Sequence, residues 1–153
     1  MHRAPALLAL SALFCLTACQ APAAHGPYAF AIDVTLTPAA MQKLASLHET
    51  VAVQAFYAGL PAPGVQATPD GEVDLGSEKV EFTPPQGHVT FTGSAISDGD
   101  LKTISGKPRV LINVFSARHA APDNVLDCTI FEDEIAVAQA QTPHITCDLI
   151  KPI

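Results

Sequence analysis

Short runs of period-two alternation, each broken off by Gly, Pro, Asn or Asp within a few residues, constrain this chain more than any other feature. Phe30, Ile32, Val34 and Leu36 alternate with Ala31, Asp33 and Thr35, the pattern of a strand with one buried face over 29–36. From Glu49 the pattern returns, with Val51, Val53, Ala55 and Tyr57 opposing Ala52, Gln54, Phe56 and Ala58. Both faces are apolar enough for a central strand. Residues 109–116 (RVLINVFS) predict a second central strand, being rich in β-branched side chains on both faces.

Shorter runs complete the set. Residues 72–75 and 79–82 flank Gly76-Ser77 as either a tight hairpin or one strand bulged at Gly76. Residues 88–92 turn Val89 and Phe91 inward and leave His88 as a solvated residue of the polar face. A short edge strand over 101–104 is expected between turns at 97–100 and 105–108. The last two strands, 125–131 and 144–150, place Leu126, Cys128 and Ile130 on one face and Ile145, Cys147 and Leu149 on another.

Two stretches read as short helices. Thr37-Pro38 offers an N-cap and a Pro at the first helical position, and Met41, Leu44 and Leu47 or His48 then fall on one side over 38–47. His48 at the C-terminal end suits the helix dipole. The second helix, 135–141, is opened by the acidic triplet Glu132-Asp133-Glu134 and ended by Thr142-Pro143. Residues 59–71 (GLPAPGVQATPDG) form a long surface loop, the first place to expect a partner contact. Seven to nine strands with one or two short helices predict an all-β fold, an antiparallel β-sandwich of immunoglobulin-like or transthyretin-like type. With no Trp in the chain, the strict antibody-domain core is excluded.

The N-terminus has another character. Arg3, an apolar run over 6–16 interrupted only by Ser11, and small residues before Cys19 are the three parts of a secretory signal. The run is shorter than the ~20 apolar residues that span a bilayer. Leu16-Thr17-Ala18-Cys19 resembles the lipobox of bacterial lipoproteins, position by position. The resemblance implies cleavage before Cys19, a diacylglyceryl thioether on its sulfur and acylation, typically by palmitate, of the new α-amino group. Several acyl chains together make a durable anchor, whereas one gives only reversible binding. The alternative is an ordinary signal peptide cut near Ala18, with Cys19 a free or paired thiol. Gln20 stands where an Asp retains many enterobacterial lipoproteins in the inner membrane, so the periplasmic face of the outer membrane is the expected location. The division is then a signal over 1–18, a lipidated Cys19 with a flexible tether over 19–27, and one domain over 28–153.

Removing 18 of the 153 residues leaves 135, enough for one domain with a core. Removing Arg3 from the eight bases leaves seven, scattered against 15 acids, a net charge of −8. That balance has no footprint for nucleic acid. Under the lipoprotein reading Cys15 is discarded and Cys19 carries lipid. Cys128 and Cys147 are then left to pair in an oxidising compartment, worth about 3 kcal/mol on the chain-entropy model.

Candidate chemistry is sparse. Asp70-Gly71-Glu72-Val73-Asp74 alternates acids as oxygen-ligand loops do, but lacks the spacing and closing Glu of an EF-hand. Asp98-Gly99-Asp100 has turn composition. Ser116, Arg118, His119 and Asp123 lie close enough for a nucleophile and base, yet no elbow, zinc-protease or P-loop motif is present. No cofactor, metal or catalytic residue is therefore expected. The function expected is that of a non-catalytic, membrane-anchored binding or scaffolding module of the cell envelope, with an envelope protein as partner. In size, anchor and fold it looks like the sandwich lipoprotein of type VI secretion systems, which would make it an accessory of a secretion system. A small-ligand or metal carrier in the periplasm, using the 70–74 loop or an inter-sheet pocket, is the alternative.

Overall fold

A computed structural model of the chain describes residues 26–151. The expected signal, Cys19 and most of the tether lie outside them. Eight strands and three helices follow in the order β1 (Phe30–Leu36), α1 (Pro38–Leu47), β2 (Val51–Pro61), β3 (Val73–Phe82), β4 (His88–Phe91), α2 (Asp98–Leu101), β5 (Ile104–Ser116), β6 (Leu126–Cys128), β7 (Phe131–Glu134), α3 (Ile135–Gln141) and β8 (His144–Leu149).

The strands make two four-stranded sheets, β4-β1-β8-β6 and β3-β2-β5-β7, whose inner faces share one apolar core. Ile32, Val89, Phe91 and Ile145 from the first sheet meet Val53, Tyr57, Val110 and Ile112 from the second, each at most 2% exposed. Period two produces this directly, since alternate residues of every strand face the same way. The fold is the expected β-sandwich, with β2 and β5 central. All pairings are antiparallel except β1 with β8. β1 and β2 lie in opposite sheets, whereas the first two strands of an immunoglobulin constant domain share one.

α1 forms where the caps predict. Thr37 Oγ1 accepts from Ala40 N at 3.2 Å, and His48 closes the helix in the left-handed conformation (φ 56°). Its buried residues are Ala40 and Leu44; Met41, expected inside, is exposed.

Several boundaries depart from expectation. β2 runs on through Gly59, Leu60 and Pro61, so the loop begins at residue 62. Of the two readings of 72–82, the bulged strand is the one formed: Tyr57 pairs with Gly76 and Ala58 with Asp74, leaving Leu75 extra and Gly76 at φ 105°. Ser97-Asp98-Gly99-Asp100 is not a plain turn but the start of the one-turn α2, closed by a Ser97/Asp100 capping box. The edge strand over 101–104 and the turn over 105–108 are not separate elements. Ile104 opens β5, and 106–108 bulge out of it opposite Gly59, between the Ala58–Arg109 and Leu60–Ser105 pairs.

The expected strand over 125–131 is two strands in different sheets. β6 ends at Cys128, the chain crosses, and Ile130 is 63% exposed at the crossing. Glu132, Asp133 and Glu134 lie in β7 and pair with β5 instead of opening a helix, while α3 itself spans the expected 135–141. The Cys128–Cys147 disulfide joins directly opposed residues of β6 and β8, with Cys147 buried and Cys128 half-buried. His88 is engaged through Nδ1 with Asp33 Oδ1 at 2.8 Å.

Candidate functional site

Register brings together residues that sequence reading kept apart. Ala58 on β2 is opposed by Asp74 of β3 on one side and Arg109 of β5 on the other, and Arg109 is opposed by Glu134 of β7. These side chains share the outer face of the second sheet, since Tyr57 and Val110 beside them point into the core. One row along, Phe56 opposes Leu111, and Leu111 opposes Glu132. Arg109 Nη1 donates to Glu72 Oε1 at 3.3 Å and Nη2 donates to Glu132 Oε1 at 3.1 Å. The two acidic stretches of the sequence thus converge on one guanidinium.

Between them lies an open depression of about 330 Å³ with Phe56 and Leu111 in its floor and Asp70, Asp74 and Arg109 on its walls. The end of the 62–72 loop is held in place here: Thr68 N and Oγ1 both donate to the Glu72 carbonyl at 2.8 Å, and Gly71 N donates to the Thr68 carbonyl. The acids are occupied differently from a cation site. Asp74 Oδ1 accepts from Gly76 N at 2.8 Å and so fastens the bulge, while Glu72 faces Arg109. Among the described residues no group of three or more His, Cys, Asp or Glu side chains is arranged to hold a metal ion. Asp98 and Asp100 belong to α2.

The Ser116, His119 and Asp123 stretch is split between the two sides of this sheet and is not joined by hydrogen bonds: Ser116 opposes Val51 on the inward row and is buried, whereas His119 reaches Glu81 on the outer face. Ser116 Oγ donates to Asn124 Oδ1 at 3.2 Å and accepts from Val125 N at 3.0 Å, which closes the loop before β6. His119 Nε2 lies 2.7 Å from Glu81 Oε2, and Arg118 stacks 5.3 Å over the Phe115 ring. The His119 bond, with Lys79 on the other oxygen, pulls the Glu81 carboxyl down to about 2. The Glu81 carboxylate in turn raises the His119 imidazole above its ordinary value.

Sequence reading missed Glu49, which is only 3% exposed. Its carboxylate accepts from Thr50 N at 3.0 Å and Ala120 N at 2.8 Å. Burial pushes this carboxyl up, but the backbone N–H groups of Ala120, Thr50 and Ala121 outweigh it and hold it below the ordinary range. A second buried polar contact was equally hidden. The Tyr57 hydroxyl donates to Glu78 Oε1 at 3.2 Å, and Glu78 Oε2 accepts from Thr92 N at 2.9 Å, tying the two sheets together at the β3 edge. Burial, reinforced by that carboxylate, raises the phenol.

A more apolar groove of about 480 Å³ runs between α1 and Pro84-Pro85, with Met41, Leu44 and Thr83 among its walls. Among the described residues its only ionisable wall residues are His48 and Glu49, and Glu49 is committed to the loop, so the groove offers shape without chemistry.

The fold and its surface define a class: a disulfide-linked β-sandwich that presents an acid-walled depression on an open sheet face. In comparisons with models of protein families, with curated protein sequences and with solved structures, nothing matches this chain.

Proposed function

We propose that this chain is a lipoprotein of a bacterial envelope, anchored through acyl chains on Cys19, whose domain binds or scaffolds another envelope component without catalysing a reaction. The observation that carries the reading is Leu16-Thr17-Ala18-Cys19, placed directly after a short apolar run and before a Pro- and Ala-rich tether. Two features of the domain support it. A disulfide suits an oxidising extracytoplasmic compartment. The hydroxyl and imidazole that sequence reading offered as a nucleophile and base are spent on loop closure and on Glu81. No helix of the described residues is long and apolar enough to cross a membrane. The outer membrane is the proposed destination, because Gln20 follows Cys19.

Expression of the full chain in a Gram-negative host tests this. The wild type is expected in the membrane fraction, with the N-terminal peptide carrying the mass of a triacylated Cys19. Cys19→Ser is expected in the soluble fraction. Retention of Cys19→Ser in the membrane, or a mature wild-type chain with an unmodified Cys19 thiol, overturns the anchor.

A further inference from the structure

Among the described residues, the chain covers the outer face of the β3-β2-β5-β7 sheet over one half only. At the upper half Ala52 is fully buried although it points away from the core, and the 117–121 segment is fastened there by His119 to Glu81 and by Ala120 to Glu49. At the lower half Phe56, in the middle of the central strand, is 43% exposed, and Leu60 at the strand end is 54% exposed. An exposed aromatic in the middle of a central strand, with charges beside it, is the composition of an interface centre with its rim.

The rim has one sign. Asp70, Glu72, Asp74 and Glu132 line the depression against a single cation, Arg109. Arg109 is already divided between Glu72 and Glu132, and neither Asp70 nor Asp74 makes an ion pair among the described residues. A second copy of this acidic chain would meet repulsion here, and an acidic or neutral segment would leave Asp70 and Asp74 without a counter-charge. A cation has two carboxylates to meet, and an adjoining apolar side chain has Phe56 and Leu111 to cover.

We propose that this half-face is the docking surface for an extended, basic segment of a partner protein, with Arg or Lys facing Asp70 and Asp74 and an apolar residue on Phe56. This deepens the reading of the chain as a binding module and rests on it. The membrane location of the chain is tested separately by the Cys19→Ser experiment. A chain that binds as described below but is not retained at the membrane overturns the anchor and leaves the surface standing.

The probe is a labelled synthetic peptide repeating Gly-Arg-Ser-Leu three times, titrated by fluorescence anisotropy against the full chain in a non-ionic detergent. Versions with Gln for Arg, or Gly for Leu, are expected to bind about tenfold more weakly. Phe56→Ser, and separately the pair Asp70→Asn with Asp74→Asn, are expected to weaken the parent peptide by about tenfold. Asn at position 74 keeps an oxygen for the Gly76 amide, and Phe56 is a surface side chain, so both variants retain the fold. The pair Asp123→Asn with Asp127→Asn, two exposed acids elsewhere, removes the same charge and is expected to change affinity less than about twofold. No binding of the parent peptide, full affinity in Phe56→Ser, or equal weakening by the control pair overturns the proposal. So does a dimer in sedimentation that Phe56→Ser abolishes, which would make a second copy the occupant.

Discussion

Glu49 ties the loop over the second sheet to the body of the domain. Glu49 is nearly inaccessible to solvent, and its carboxylate accepts from the backbone N–H groups of Thr50 and of Ala120 in that loop. Hydrogen bonds to a charged acceptor are the stronger kind, and buried donors stripped of their acceptor bear the full desolvation cost. Glu49→Ala is therefore expected to lower stability by about 2–3 kcal/mol in urea denaturation at neutral pH. The pH dependence has a definite sign. The folded-state pKa lies below the ordinary 4.5, so the contribution is present above about 4.5 and disappears as pH falls through the lower folded value. The gap between wild type and Glu49→Ala should narrow at pH 3, and an equal gap at both pH values would contradict the ionised role. Nothing local in the sequence marks this residue, because Ala120 lies 71 positions away. Glu72 and Glu132 did stand out as acids, but only the fold shows that they share Arg109.

At the scale of elements, β6 is the shortest strand, three residues on a sheet edge held to β8 by its ladder and by the disulfide. The bridge closes a sequence separation of 19 residues. Cys128→Ala with Cys147→Ala is expected to cost about 3 kcal/mol on the chain-entropy model. The amide of Leu126 should then exchange markedly faster than those of central β2. A loss under about 1 kcal/mol with unchanged exchange at Leu126 would show that packing alone holds the edge. Elements such as β1, α1 and β2 were legible because one period or one cap dominates each. The misread ones carry two competing signals. Acids at 132–134 suit a helix start, yet on β7 they answer Arg109 and Lys107 of β5, and that cross-strand pairing is invisible along the chain. Gly106 and Pro108 look like a turn in isolation, but the sheet absorbs them as a bulge in one long strand. The break between β6 and β7 has no Gly or Pro to announce it; Thr129 N bonds back to the Thr146 carbonyl before the chain changes sheets.

For the molecule as a whole, the sandwich class followed from patterning, whereas the strand order did not, because pairing partners such as β1 and β8 are contacts of high sequence separation. Charge, by contrast, is a whole-chain property that makes a prediction of its own. The net charge is −7 at pH 7 and the isoelectric point is near 5.1. Lowering the pH from 8 relieves self-repulsion in the compact state. It also protonates His119, whose raised folded pKa contributes stability fully present below 6.5 and lost as pH rises through the folded value. Below about 4.5 the opposite trend takes over. Glu49, Glu81 and Asp148, whose carboxylate accepts from the Thr37 hydroxyl, all have folded pKa values below their ordinary ones, so each loses its contribution as protons are added, Glu81 last, as pH falls through about 2. The melting temperature is therefore expected to peak between about pH 5 and 6 and to fall on both sides, more steeply toward acid, where several groups act together. Glu81→Gln leaves His119 without its carboxylate and should flatten the alkaline limb while keeping the acid fall due to Glu49. A melting temperature that climbs steadily to pH 8 in low salt would mean that neither self-repulsion nor the His119–Glu81 contact governs the folded state.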